Sequence, residues 1–191
     1  MKFSRNPKSG ILETYSDDGI YQGSIITMGD TLQEYEERKA RPFNMDMIEK
    51  IQLRSENVCY GPCPEPEDEV EQRLTITSKG RVWLSRYKFG DGSWQYKLVE
   101  KRSFNIPKDA ARMILTAIGE YFSQNPLIDF ATDVGSWELT LTDTFGKECK
   151  AEGPLVMDLQ TDHGGLSNLI RDALGLHDLF AFDGNDEEDE Y

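Results

Sequence analysis

Leu74-Thr75-Ile76-Thr77 returns almost unchanged as Leu139-Thr140-Leu141-Thr142. Apolar and polar residues alternating with period two read as strands with one face buried and one face wet. Each copy leads through further strand-like sequence to an amphipathic helix. The reading is one strand-to-helix unit used twice. Strands grouped ahead of helices predict an α+β fold, an antiparallel sheet with helices packed on one face.

Outward from the first copy, residues 72–77 and 81–89 read as strands around Ser78-Lys79-Gly80. Gly90-Asp91-Gly92-Ser93 then turns the chain into residues 94–104. Placing Phe89 opposite Trp94 sets Tyr87 against Tyr96, Ser85 against Leu98 and Trp83 against Glu100. This register gathers five aromatic rings on one face of the ribbon, and a helix is expected to cover them. That helix starts at Pro107, with Ala110, Met113, Ile114, Ala117, Ile118, Tyr121 and Phe122 spaced three and four apart. Asn125-Pro126 stops it. The second copy follows Trp137, turns at Asp143-Thr144-Phe145-Gly146, and has a shorter helix. Leu166, Leu169, Ile170, Ala173 and Leu174 form its apolar face, with Gly175 as C-cap. Leu176, Leu179, Phe180 and Phe182 anchor the last segment.

Ahead of the first copy, residues 10–28 read as a hairpin through Ser16-Asp17-Asp18-Gly19. Thr31-Leu32-Gln33-Glu34 fits a capping box opening a short helix that Pro42 stops. Residues 47–54 suit a helical turn or a strand equally. Gly61-Pro62-Cys63-Pro64-Glu65-Pro66 and the acids after it read as a linker. The expected organisation is an N-terminal lobe over 1–64, a linker over 65–71, a main domain over 72–183 and an acidic, disordered tail over 184–191.

The chain has 191 residues and a formal net charge of −14. Eleven carboxylates sit in two segments, Glu65 to Glu71 and Asp183 to Glu190, and the rest of the chain carries only −3. Between them, nine bases face three acids from Lys79 to Arg112, a local +6. Such segregation reads as an ordinary solvated hairpin or as a basic contact surface that the acidic segments cover. No apolar run approaches the ~20 residues of a membrane helix, and Met1 to Pro7 has no apolar signal stretch. Cys59, Cys63 and Cys149 make no disulfide framework. A soluble chain in the cytoplasm, not bound to membrane, is the expectation.

Signatures of chemistry are sparse. Cys59-Tyr60-Gly61-Pro62-Cys63 resembles the Cys-Gly-Pro-Cys of thioredoxin-like redox proteins. It separates its thiols by three residues instead of two, and prolines follow where that family opens a helix, so no redox function follows. Two histidines and three cysteines give no paired zinc ligands. The sequence from Asp183 to Asp189 has the alternating oxygens of a calcium loop but lacks its glycine and its final glutamate. His163, in Asp162-His163-Gly164-Gly165, precedes a helix whose first backbone donors could hold an anion. No nucleophile elbow or phosphate loop accompanies it. His177 lies past the Gly175 cap, where a cation suits the helix end.

No catalytic residue, metal or cofactor is expected. The reading is a non-enzymatic protein-binding module, acidic overall, of the immunity or antagonist type, with an unidentified protein partner. Arg86, Lys88, Trp94, Lys97 and His163 are the candidate contact residues. One alternative is a small hydrolase or ligand-binding protein with a pocket near His163. Another is single-stranded nucleic acid stacking on the hairpin 79–104; it is disfavoured because rings that fill a core cannot also stack bases. Exposed tryptophans would favour it.

Overall fold

Ile51 and Leu53 lie at the centre of a six-stranded antiparallel sheet, and their neighbours on both sides are the two Leu-Thr-x-Thr copies. The computed structural model describes residues 2–5, 12–15, 21–25, 42–59, 61–91, 95–125, 134–162 and 164–184. The chain divides into two units, Met1–Pro42 and Phe43–Tyr191. In the first, β1 (Lys2–Arg5), β2 (Leu12–Tyr15) and β3 (Tyr21–Ile25) form an antiparallel sheet in that order. The expected turn at 16–19 and the helix after Thr31 lie outside the described residues.

The second unit holds β4 (Ile48–Glu56), β5 (Glu69–Thr77), β6 (Arg81–Lys88), β7 (Lys97–Asn105), helix α1 (Lys108–Gln124), β8 (Ser136–Asp143) and β9 (Glu148–Pro154). A two-residue ladder, β10 (Gln160–Thr161) with β11 (Gly164–Gly165), precedes helix α2 (Leu166–Leu174). The sheet order is β7-β6-β5-β4-β8-β9, and both helices cover one face of it. The α+β class read from the sequence is the class observed. Residues 43–64 belong to this unit, since β4 pairs on both sides across the proline-rich segment. That segment is therefore a connection between neighbouring strands, and Glu69 and Glu71 are already part of β5.

The repeat has a physical explanation. Leu74 and Leu139 both face Leu53, Ile76 and Leu141 both face Ile51, and Thr75 and Thr140 both face Gln52. A displacement that carried β5 onto β8, keeping direction and faces, would carry β6 onto the place of β4. Instead β9 lies on the far side of β8. The two hairpins open in opposite directions from a shared central strand. Leu-Thr-x-Thr therefore marks two strands in the same environment, aliphatics inward and threonines outward.

The helix-covered face is aliphatic. Val82, Leu84, Leu74, Ile76, Ile51, Leu53, Leu139 and Leu141 line it, each at most 2% exposed. At ~1.5–3 kcal/mol for each fully buried large side chain, this row dominates the core. α1 buries Ala111, Ile114, Leu115, Ala117, Ile118, Gly119 and Phe122, while Met113 is 48% exposed and Ala110 and Tyr121 are only partly buried. Its buried stripe is turned toward Ala111 and Leu115 from the expected one. α2 ends as read, with Gly175 at φ 65° and its N–H on the Arg171 and Asp172 carbonyls.

The last described residues form a strap that crosses the sheet on the helix side, strand by strand. Asp178 meets Arg86 of β6 at 2.7 Å. Gln72 of β5 donates to the Asp178 carbonyl and accepts from the Phe180 N–H at 3.0 and 2.8 Å. Ser55 of β4 donates to the Ala181 carbonyl at 2.5 Å. Phe182 packs edge-on against Trp137 of β8, with ring centres 5.1 Å apart. Leu176, Leu179 and Phe182 are buried as expected of an anchor, and Phe180 partly so.

The Arg86 hydrogen bond holds the Asp178 carboxyl below its usual range. A carboxyl with a depressed folded pKa adds stability above its unfolded pKa and loses it as pH falls through the folded value. An Asp178→Asn chain is expected to lose stability at neutral pH and to show a flatter acid-unfolding curve. Parallel acid curves for the two chains, measured by circular dichroism, would remove this role.

A candidate docking face on the open side of the sheet

On the other side of the sheet the same strands present their wet residues. Pairing lines up Lys150, Thr140, Gln52, Thr75, Trp83 and Ser103 in one row across all six strands. Trp83 is 41% exposed in this row. The helix-covered face thus takes Val82 and Leu84, and the hairpin rings on Trp83 and Tyr87 lie opposite. The expected burial of the aromatic face is corrected at Trp83 and Tyr87, while Phe89 is buried as expected, and the hairpin register is corrected too. Trp83 faces Ser103, Tyr87 faces Leu98 and Lys88 faces Lys97, with a bulge between Arg86 and Tyr87. The loop between β6 and β7 is longer than the sequence suggests, which shifts every pair.

Two guanidinium–aromatic stacks organise this face. Arg81 lies over the Trp83 ring at 5.6 Å and donates to Ser103 Oγ at 2.8 Å and Asn105 Oδ1 at 3.4 Å. β7 thereby holds the cation on the ring with neutral acceptors, leaving its charge uncompensated. Arg73 lies over Tyr87 at 4.7 Å and donates to Glu71 Oε1 at 2.6 Å. Glu71 also accepts from Arg54 at 2.7 Å, and Arg54 reaches Glu56 and Glu138. The Tyr96 hydroxyl donates to Glu56 at 2.5 Å; burial first, and then that bond, pushes the phenol up to about 12. The face is therefore charge-graded. Around Arg81, Trp83 and Lys101 it is basic. Across β5 and β4 Glu71, Arg73, Arg54 and Glu56 are paired with one another, and β8–β9 present Glu138, Glu148 and Glu152.

The residues picked from sequence fare unevenly. Arg86 is on the helix side, its side chain 8% exposed and engaged by Asp178, Glu69 at 3.2 Å and Glu100 at 3.3 Å. It closes the core and is no contact residue; a buried arginine with three acids is a lock. Lys88 pairs with Glu67, of the acidic segment after the prolines, at 2.7 Å. Lys97 is exposed opposite Lys88. Trp94 and His163 lie outside the described residues. The backbone donors that could have held an anion beside His163 are taken: Asp158 accepts from Ser167 N at 2.6 Å and Asn168 N at 3.3 Å. A cavity of about 110 Å³ near that turn has Glu120 and Asp162 in its wall, small beside a typical ligand pocket of ~300–1,000 Å³.

No known protein family, curated protein or solved structure matches this chain. The face itself therefore carries the functional reading. Among the described residues, no helix is long and apolar enough to cross a membrane. Sequence reasoning missed Arg81 as the partner of the exposed Trp83 ring and Arg73 as the partner of Tyr87. The signal was present: Arg81 and Trp83 share a period-two face, while Val82 and Leu84 continue the aliphatic row of Leu74 and Ile76.

Proposed function

We propose that the chain is a non-enzymatic protein-binding module whose contact surface is the open sheet face around Trp83 and Arg81. The observation that supports this is the exposed Trp83 ring with Arg81 fixed over it by Ser103 and Asn105. Trp, Tyr and Arg are the residues that concentrate binding energy in protein interfaces, and a pre-ordered stack loses little entropy on docking.

The test is site-specific photocrosslinking from position 83, with position 113 on the exposed side of α1 as reference. A defined partner captured from 83 and not from 113, and lost with Arg81→Ala, is the expected result. Equal capture from both positions, or none from 83, sinks the reading.

Trp83 exposure also favours a second reading, stacking of single-stranded nucleic acid. Phosphate contacts dominate such binding, and much of the basic charge here is already paired with carboxylates, on a chain of net charge −14. Oligothymidine is therefore expected to leave Trp83 emission unchanged at physiological salt. A saturable quench, lost in Trp83→Ala and falling steeply with salt, would put nucleic acid first.

A further inference from the structure

We infer that Asp186–Glu190 of one copy of this chain dock on the Trp83–Arg81 face of a second copy. The inference rests on reading that face as a docking surface and names one occupant for it. Charge complementarity carries it first. Arg81 is held only by neutral acceptors, and Lys101, opposite Ser85 on the far side of Trp83 from Arg81, lies on the same face with no carboxylate among its described contacts. The buried acid of this face, Glu71, is taken by Arg54 and Arg73. Asp186-Glu187-Glu188-Asp189-Glu190 is an uninterrupted run of five carboxylates followed by Tyr191, whose ring suits a face built on Trp83 and Arg81.

Geometry then decides between the chain's own face and another copy's. Gly184, the last described residue, packs against Leu155, just past the end of β9 and on the helix side of the sheet. Trp83 is four strands away and on the opposite face. Four steps of ~4.8 Å make ~19 Å, and rounding the sheet adds ~10 Å. An extended chain gains at most ~3.3 Å per residue, so Asp186 to Glu190 reach only ~7–20 Å from Gly184. The acids stop short of their own Arg81 and Lys101, so only a second copy can receive them. Reciprocal exchange of tails closes a pair, and one-way docking builds chains or rings.

Sedimentation velocity on the full chain and on a chain lacking residues 185–191, at about 50 mM and about 500 mM salt, tests this with a decisive sign. Removing five carboxylates takes the formal net charge from −14 to −9, which by repulsion alone would favour association. The expected result is the reverse. The full chain's average mass rises with concentration at low salt and returns to monomer at high salt, and the shortened chain stays monomeric. Replacing the five acids by their amides repeats the loss without shortening the chain.

A peptide of residues 184–191, added to the shortened chain, is expected to shift the amide signals of Arg81, Trp83 and Lys101 saturably. Binding should weaken at least tenfold with Arg81→Glu. Equal behaviour of the two chains, or more association after deletion, overturns the inference. A change that does not depend on concentration means docking within one chain and overturns it too. If the peptide fails while crosslinking from position 83 still captures a distinct partner, this inference falls and the protein-binding reading stands; if both fail, the face is not a docking surface.

Discussion

Arg171→Ala is expected to cost about 3–5 kcal/mol of unfolding free energy, the usual cost of removing one member of a buried ion pair. The Arg171 side chain is 8% exposed on α2. It binds both carboxylate oxygens of Asp183, one of them from Nη1 at 3.0 Å, and donates from Nε to the Leu179 carbonyl at 2.9 Å. Without it, the Asp183 carboxylate loses this ion pair and the Leu179 and Phe180 carbonyls lose a donor together. The strap then keeps its polar ties to the sheet at Ser55, Gln72 and Arg86 and its packing of Phe182 on Trp137. Urea unfolding measures the cost, and Arg171→Met with Asp183→Leu should recover much of it by removing both charges. A loss below about 1 kcal/mol for Arg171→Ala would mean that the strap contributes little to the fold.

Trp137→Ala is the second large effect, again about 3–5 kcal/mol. Trp137 is fully buried, set edge-on between Phe122 of α1 and Phe182 of the strap, with ring centres 6.0 and 5.1 Å away. It is the ring through which helix, sheet and strap meet, so its removal leaves a cavity that none of the three can fill alone. Its indole N–H has no protein partner, so Trp137→Phe forfeits packing but no hydrogen bond and should cost far less. Comparable losses for the two substitutions would show that the indole, and not the ring volume, is what the core needs.

Much of the architecture is legible in the residues. Period-two alternation marks 72–77, 81–89 and 137–142 as strands, and three–four spacing marks both helices, the first stopped at Asn125-Pro126 and the second capped by Gly175. These are local steric and solvation preferences, and they act without the rest of the chain. The candidate site is less legible for a nonlocal reason. Alternation announces two faces of a strand but not which one meets a helix. Trp83 and Tyr87 offer more area to bury than Val82 and Leu84, so a hairpin read in isolation buries the rings. In the sheet, Val82 and Leu84 continue the row of Ile76, Leu74, Ile51 and Leu53, and a helix covers a continuous aliphatic surface better than one broken by Arg73, Gln52 and Arg54. Arg86 follows the same logic. It reads as one base among nine, and becomes a buried lock only because Asp178, far along the chain, returns across β6.

By itself the sequence determined the strands at 72–77, 81–89 and 137–142, the two helices after them, the α+β class and the separation of acidic from basic segments, because each depends on residues close together along the chain. The tertiary structure alone decided that the two Leu-Thr-x-Thr strands flank one central strand, that a C-terminal strap crosses the sheet, and that Trp83 faces solvent under Arg81. Those outcomes depend on which rows of side chains join across strands. Pairing between distant segments sets that, and no window of sequence contains it.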